Sequence, residues 1–147
     1  MDGWMKSMQR EVDHGTWNIT VIEVKDIKPG KFVTKRDPYV KLIGNELNGQ
    51  TEVVPGETSP VYETEFSMKA TESENFLIIE CWDHNEYAAH ELIGKTIISL
   101  DDQQSGWFEL KGKLQENVAM INLNFSRCIP CKEPHDECCA VPPCAFM

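Results

Sequence analysis

Cations are scarce in this chain. It carries 14 Lys and Arg against 24 Asp and Glu, a formal net charge of -10 at pH 7. General nucleic-acid binding needs a basic surface that displaces counterions, so that class is excluded. Long apolar runs are lacking too. No stretch reaches the ~18 apolar residues that a spanning helix needs. Met1 to Gly15 has no apolar centre of the secretory-signal kind. The expectation is a chain that folds in the cytosol with reduced thiols. Catalytic signatures are missing as well. There is no nucleophile elbow, no glycine loop built to cradle phosphate and no His-Glu-x-x-His helix. His14, His84, His90 and His135 are scattered, with His84 and His90 in a polar stretch where they read as solvated. The chain therefore reads as a non-enzyme that requires no cofactor. Cysteine is nearly absent from the body. Cys81 stands alone in an apolar run, while Cys128, Cys131, Cys138, Cys139 and Cys144 crowd into the last stretch. That distribution is not a disulfide framework.

What is present is a single period. The 147 residues suffice for one domain with a core. Residues 1–15 form an N-terminal extension with Trp4, Met5, Met8 and Val12 at helical spacing. From Thr16 the alternation is two, and it persists. Strands are predicted over Thr16 to Val24, Pro38 to Ile43, Gln50 to Val54, Val61 to Met68, Asn75 to Trp82, Leu92 to Leu100, Trp107 to Leu110 and Ala119 to Phe125. Pro-Gly-rich turns separate them. The fold class is all-β, an eight-stranded antiparallel sandwich over residues 16–126. After Ser126 the composition shifts to Cys, Pro and charge, so residues 127–147 read as a tail outside the core.

The stretch Asp37-Pro38-Tyr39-Val40-Lys41 organises the middle. Pro38 fixes its own φ, holds Asp37 extended and suits the first position of a strand. Asp37 is thus a carboxylate pre-oriented at a loop–strand junction. Further pieces follow in order: Ser59-Pro60-Val61-Tyr62-Glu63-Thr64-Glu65-Phe66, Leu77-Ile78-Ile79-Glu80-Cys81-Trp82-Asp83, Leu92-Ile93-Gly94 and Trp107-Phe108-Glu109-Leu110. With Val24-Lys25-Asp26-Ile27 before them, they resemble a C2 domain over residues 16–126. The resemblance implies a sandwich whose loops at one end meet membranes, often through calcium. It also implies the circular variant in which the last strand follows the Trp107–Leu110 segment.

The resemblance further implies a calcium site of acids from two loops. Here its positions hold Lys31 in place of an acid, then Asp37, Asp83, Asn85 and Glu91. Calcium wants six to eight oxygens, and an ammonium at Lys31 removes a ligand and adds like charge. The expected site is degenerate: calcium binds weakly or not at all, no tighter than ~100 µM. Membrane contact then falls to the loop tips, to Lys31, Phe32, Val33, Lys35, Arg36 and Tyr87. Cations at headgroup level with aromatics below suit an anionic leaflet.

The tail ends Cys144-Ala145-Phe146-Met147, which fits C-a-a-X with farnesyl on Cys144. One prenyl chain anchors only reversibly, and Cys138 with Cys139 offer the second, palmitoyl, signal. Cys128 and Cys131 are further candidates. A zinc reading of Cys128, Cys131, His135 and Cys138, and an inert tail, stand beside it. The functional expectation is a lipid-anchored module on the cytoplasmic face of a membrane that binds phospholipid, a protein partner, or both. A calcium-dependent phospholipid binder and a soluble protein-interaction module are the alternatives.

Overall fold

A computed structural model describes residues 12–30 and 35–130. Eight strands run β1 (Thr16–Lys25), β2 (Pro38–Gly44), β3 (Leu47–Gln50), β4 (Val61–Lys69), β5 (Phe76–Asp83), β6 (Glu91–Ser99), β7 (Gly106–Lys111) and β8 (Asn117–Cys128). All pairings are antiparallel, in the order β3-β2-β5-β6-β7-β8-β1-β4. Between β6 and β7 the ladder is the single pair Lys95 with Lys111. That step is where the sheet folds over to make two four-stranded layers. The last strand lies between β7 and β1, which is the circular variant expected.

Alternation builds the core. Trp17, Ile19, Val21 and Val24 of β1 join Ala119, Ile121, Leu123 and Phe125 of β8, and Val40, Leu42, Leu77, Ile79 and Cys81 come from the other layer. Each fully buried aliphatic side chain contributes about 1.5–3 kcal/mol. Burial pushes the Cys81 thiol up to about 12, with Arg36 pulling it down and Asp83 raising it. Cys81 therefore packs as a protonated, apolar side chain at neutral pH. Tyr62 packs against the core, and its hydroxyl donates to the Pro38 carbonyl at 2.7 Å.

The third strand departs from expectation. The alternation suggests Gln50 to Val54, but the strand is Leu47–Gln50, closed by a two-residue turn at Asn45-Glu46. Glu46 takes φ 54°, and the Asn45 amide donates to the Lys69 carbonyl at 3.0 Å. The next segment still runs beside β2. Thr51 N–H reaches the Val40 carbonyl at 2.9 Å and Val54 N–H the Pro38 carbonyl at 3.0 Å. Regular pairing stops because the buried Thr51 hydroxyl accepts the Val40 N–H at 2.9 Å, a bond a ladder carbonyl would otherwise take.

β8 is longer than expected at both ends and pairs with β1 from Thr16–Cys128 to Lys25–Met120. Cys128 is disulfide-bonded and not reduced, which removes it from the free thiols open to zinc or palmitate. The chain enters β1 and leaves β8 at one end of the sandwich. Asp37, Asp83 and Glu91 sit at the other, where Pro38, Asp83 and Glu91 fall in one cross-strand row.

Candidate acidic loop end

Three loops meet at that far end. The first precedes β2 and ends at Asp37. The second joins β3 to β4 through Gly56, whose φ of 68° suits glycine. The third joins β5 to β6 across residues 84–90. Asp37 binds the other two. Its main-chain N–H donates to Asp83 Oδ1 at 2.9 Å, its carbonyl accepts His84 N–H at 2.9 Å, and its Oδ1 accepts Gly56 N–H at 2.9 Å. The pre-oriented carboxylate expected from Pro38 is thus spent on a loop N–H group.

Arg36 is where the structure corrects the sequence reading. The sequence places it among loop-tip cations facing a leaflet. It is instead buried, 7% exposed. Its Nη1 donates to Asp83 Oδ2 and to Glu91 Oε2, both at 3.3 Å. Its Nε is buried with no hydrogen-bond partner among the described residues. Asp83 closes β5 and Glu91 opens β6, so one guanidinium pins both feet of the third loop. The cause lies in the next residue. Asp37 is hydrogen-bonded on both its N–H and its carbonyl side, and Arg36 is drawn inward with it.

The tip of that loop is open. Asn85 and Tyr87 are exposed, Tyr87 by 95%. Asn85 Oδ1 accepts Tyr87 N–H at 2.9 Å, an Asx turn that fixes the tip. In the first loop Lys35, next to Arg36 in the chain, is exposed. Behind the tip the two histidines are engaged rather than solvated. His84 and His90 stack edge to face at 4.6 Å between centroids, and Tyr39 Oη and His90 Nδ1 are hydrogen-bonded at 2.5 Å. Tyr39 is 2% exposed, and burial raises its pKa. Lys31, Phe32 and Val33 lie outside the described residues, as do Cys131, His135, Cys138, Cys139 and Cys144.

These donors do not fit a calcium ion. Asp83 and Glu91 already hold a cation, Asp37 holds Gly56, and Asn85 turns its oxygen to the Tyr87 amide. Among the described residues no group of three or more His, Cys, Asp or Glu is placed to hold a metal.

The strand order and the cluster of loops at one end define a β-sandwich recognition module. The chain belongs to the C2 domain family, whose model matches residues 15–110. Synaptotagmin-4 of Arabidopsis thaliana is 29% identical over 106 residues, covering 67% of this chain and 18% of that protein. Arrestin domain-containing protein C of Dictyostelium discoideum is 31% identical over 88 residues, 60% of this chain and 14% of that one. The chain thus spans less than a fifth of these relatives. Among solved structures, the A-type C2 domain of plant extended synaptotagmin 1 superposes with TM-score 0.68 at 17% identity, covering 78% of this chain and 95% of that one. The calcium-bound pair of C2 domains of extended synaptotagmin 2 gives 0.70 at 20% identity, over 82% of this chain and 48% of that one.

Proposed function

We propose that this protein is a non-enzymatic, membrane-associated C2 module whose loop end meets anionic phospholipid with weak or absent calcium dependence. The carrying observation is Tyr87, 95% exposed on a loop whose feet are held by Arg36. An exposed aromatic on a fixed loop, at the end that also carries Lys35 and the Lys31 loop, is an interfacial anchor. Each such cation adds about 1 kcal/mol near an anionic leaflet. With a net charge of -10 behind it, the contact is weak and falls with salt. Farnesyl at Cys144, with palmitate at Cys138 and Cys139, supplies stable anchoring at the cytoplasmic face.

Flotation with phosphatidylserine vesicles tests the loop. The unlipidated protein is expected to float equally with calcium and with chelator, and Tyr87→Asp to lose most of that fraction. Flotation only with calcium would establish the calcium-dependent alternative. The tail is tested in cells. Cys144→Ser is expected to move a tagged protein off membranes, and unchanged localisation sinks the farnesyl assignment.

A protein partner is favoured by a different face. Ile43, Ile78 and Ile97 are direct cross-strand neighbours in β2, β5 and β6, and none belongs to the core cluster. Ile97 is 57% exposed and Phe76, at the same end, 51%. A protein that fails to float and loses a partner on Ile97→Lys belongs to the interaction-module reading.

A further inference from the structure

We infer that Arg36 is a tethered cation that takes the place of a free dication at the acidic loop end. The position is one where three carboxylates converge, on Asp37, Asp83 and Glu91. In an empty site they would repel one another, and some would protonate or splay. A single guanidinium beside two of them removes that repulsion. Its planar donors suit carboxylate oxygens, and it stays charged at any physiological pH.

The connections extend past the ion pair. Glu91 meets Arg36, Arg36 meets Asp83, Asp83 meets Asp37, and Asp37 meets Gly56. This series ties all three loops, which is the work a bridging metal would do. The difference lies in mass action. A free ion stabilises its bound state only as its concentration exceeds the dissociation constant. A side chain one residue from Asp37 is present at fixed effective concentration. The loop end is therefore assembled constitutively, and a dication could enter only by expelling a buried guanidinium. The same carboxylates without Arg36 would be a cation site waiting for its ion.

Terbium luminescence, sensitised by the nearby Trp82 and Tyr39, tests this without any membrane. The wild-type chain is expected to show no saturable terbium or calcium binding below millimolar. Arg36→Gln is expected to gain a saturable site at least about tenfold tighter, because one like charge has left the ion's position. The gain should vanish in Arg36→Gln/Asp83→Asn and be absent in Arg36→Lys. Wild-type binding as tight as that of Arg36→Gln, or a folded Arg36→Gln that gains nothing, overturns the inference. Should Arg36→Gln fail to fold, rescue of its melting transition by terbium supports it. Proton NMR of the wild type is the second measurement. The Arg36 Nη protons should be slowed in rotation and exchange, and unmoved by millimolar calcium. Free rotation there overturns the inference whatever the variant does. Vesicle flotation is not involved, so failure of the membrane reading leaves this result standing.

Discussion

Asp83→Ala is expected to cost about 3–5 kcal/mol of folding stability, read as a drop in urea midpoint at constant slope. The side chain of Asp83 is 15% exposed and that of Arg36 is 9% exposed. Deleting the acid leaves a buried guanidinium whose remaining partner, Glu91, is 61% exposed and holds it weakly. The same deletion removes the acceptor of the Asp37 N–H. Two losses therefore coincide, an uncompensated buried charge and an unsatisfied amide. Asp83→Asn separates them, since its carbonyl can still accept the Asp37 N–H, and it should lose less. Adding Arg36→Leu to Asp83→Ala should recover part of the loss, because no orphaned charge then remains. A cost under about 1 kcal/mol for Asp83→Ala would mean that the Arg36 side chain escapes to water.

Asn75→Ala is expected to cost about 2–4 kcal/mol in the same assay, from the opposite end of the sandwich. Asn75 is 2% exposed and its amide is fully used. Its Oδ1 accepts Thr71 N–H at 2.7 Å, and its Nδ2 donates to the Thr71 carbonyl at 3.2 Å and to both Asp101 oxygens at 3.0 and 3.1 Å. Its main-chain N–H also donates to Asp101 at 2.9 Å, and its carbonyl accepts Leu100 N–H at 2.8 Å. One side chain thus fastens the β4–β5 loop to the β6–β7 loop. Alanine leaves the Thr71 amide and an Asp101 oxygen without it. Asn75→Asp is the sharper comparison. A carboxylate facing the Asp101 carboxylate should destabilise at least as much at neutral pH and less in acid, where one of the pair protonates.

The fold is legible in the sequence because its evidence is local and periodic. Two-residue alternation in Thr16 to Val24 and Val61 to Met68, broken by Pro and Gly, requires only counting. The third strand is misplaced by that counting because Thr51 and Val54 keep an alternating pattern and even bond to β2. Only the direction of the Thr51 hydroxyl, invisible in sequence, ends the ladder there. The site is half legible. Asp37, Asp83 and Glu91 stand out, and they do converge. Arg36 reads as a leaflet-facing cation because a Lys-Arg pair beside a loop usually is solvated. Its direction depends on hydrogen bonds to Asp37 from residues far along the chain. One signal is available. Converging acids in a deficient ligand set call for a cation from the chain itself, and Arg36 stands next to one of them. The Tyr39–His90 contact has no such signal, since 51 residues separate the partners.

The antiparallel pairing of β1 with β8 sets how far a lipidated tail could let the domain reach. Thr16 lies opposite Cys128, at the end away from Tyr87. β1 has 10 residues, a length of about 33 Å. The sixteen residues from Cys128 to Cys144 span at most about 53–58 Å when fully drawn out. A leash of that length can double back along the sandwich and let Tyr87 touch the leaflet that holds Cys144. It can equally let the domain stand away, with its loop end turned toward an opposing bilayer. The two postures part company when the leash is cut by half. Same-leaflet contact then becomes unreachable, while bridging between two vesicle populations persists. A lipid anchor and a lipid-seeking loop at opposite poles make the tail length, and not the loop chemistry, the quantity that decides whether this protein lies down on one membrane or spans the gap between two.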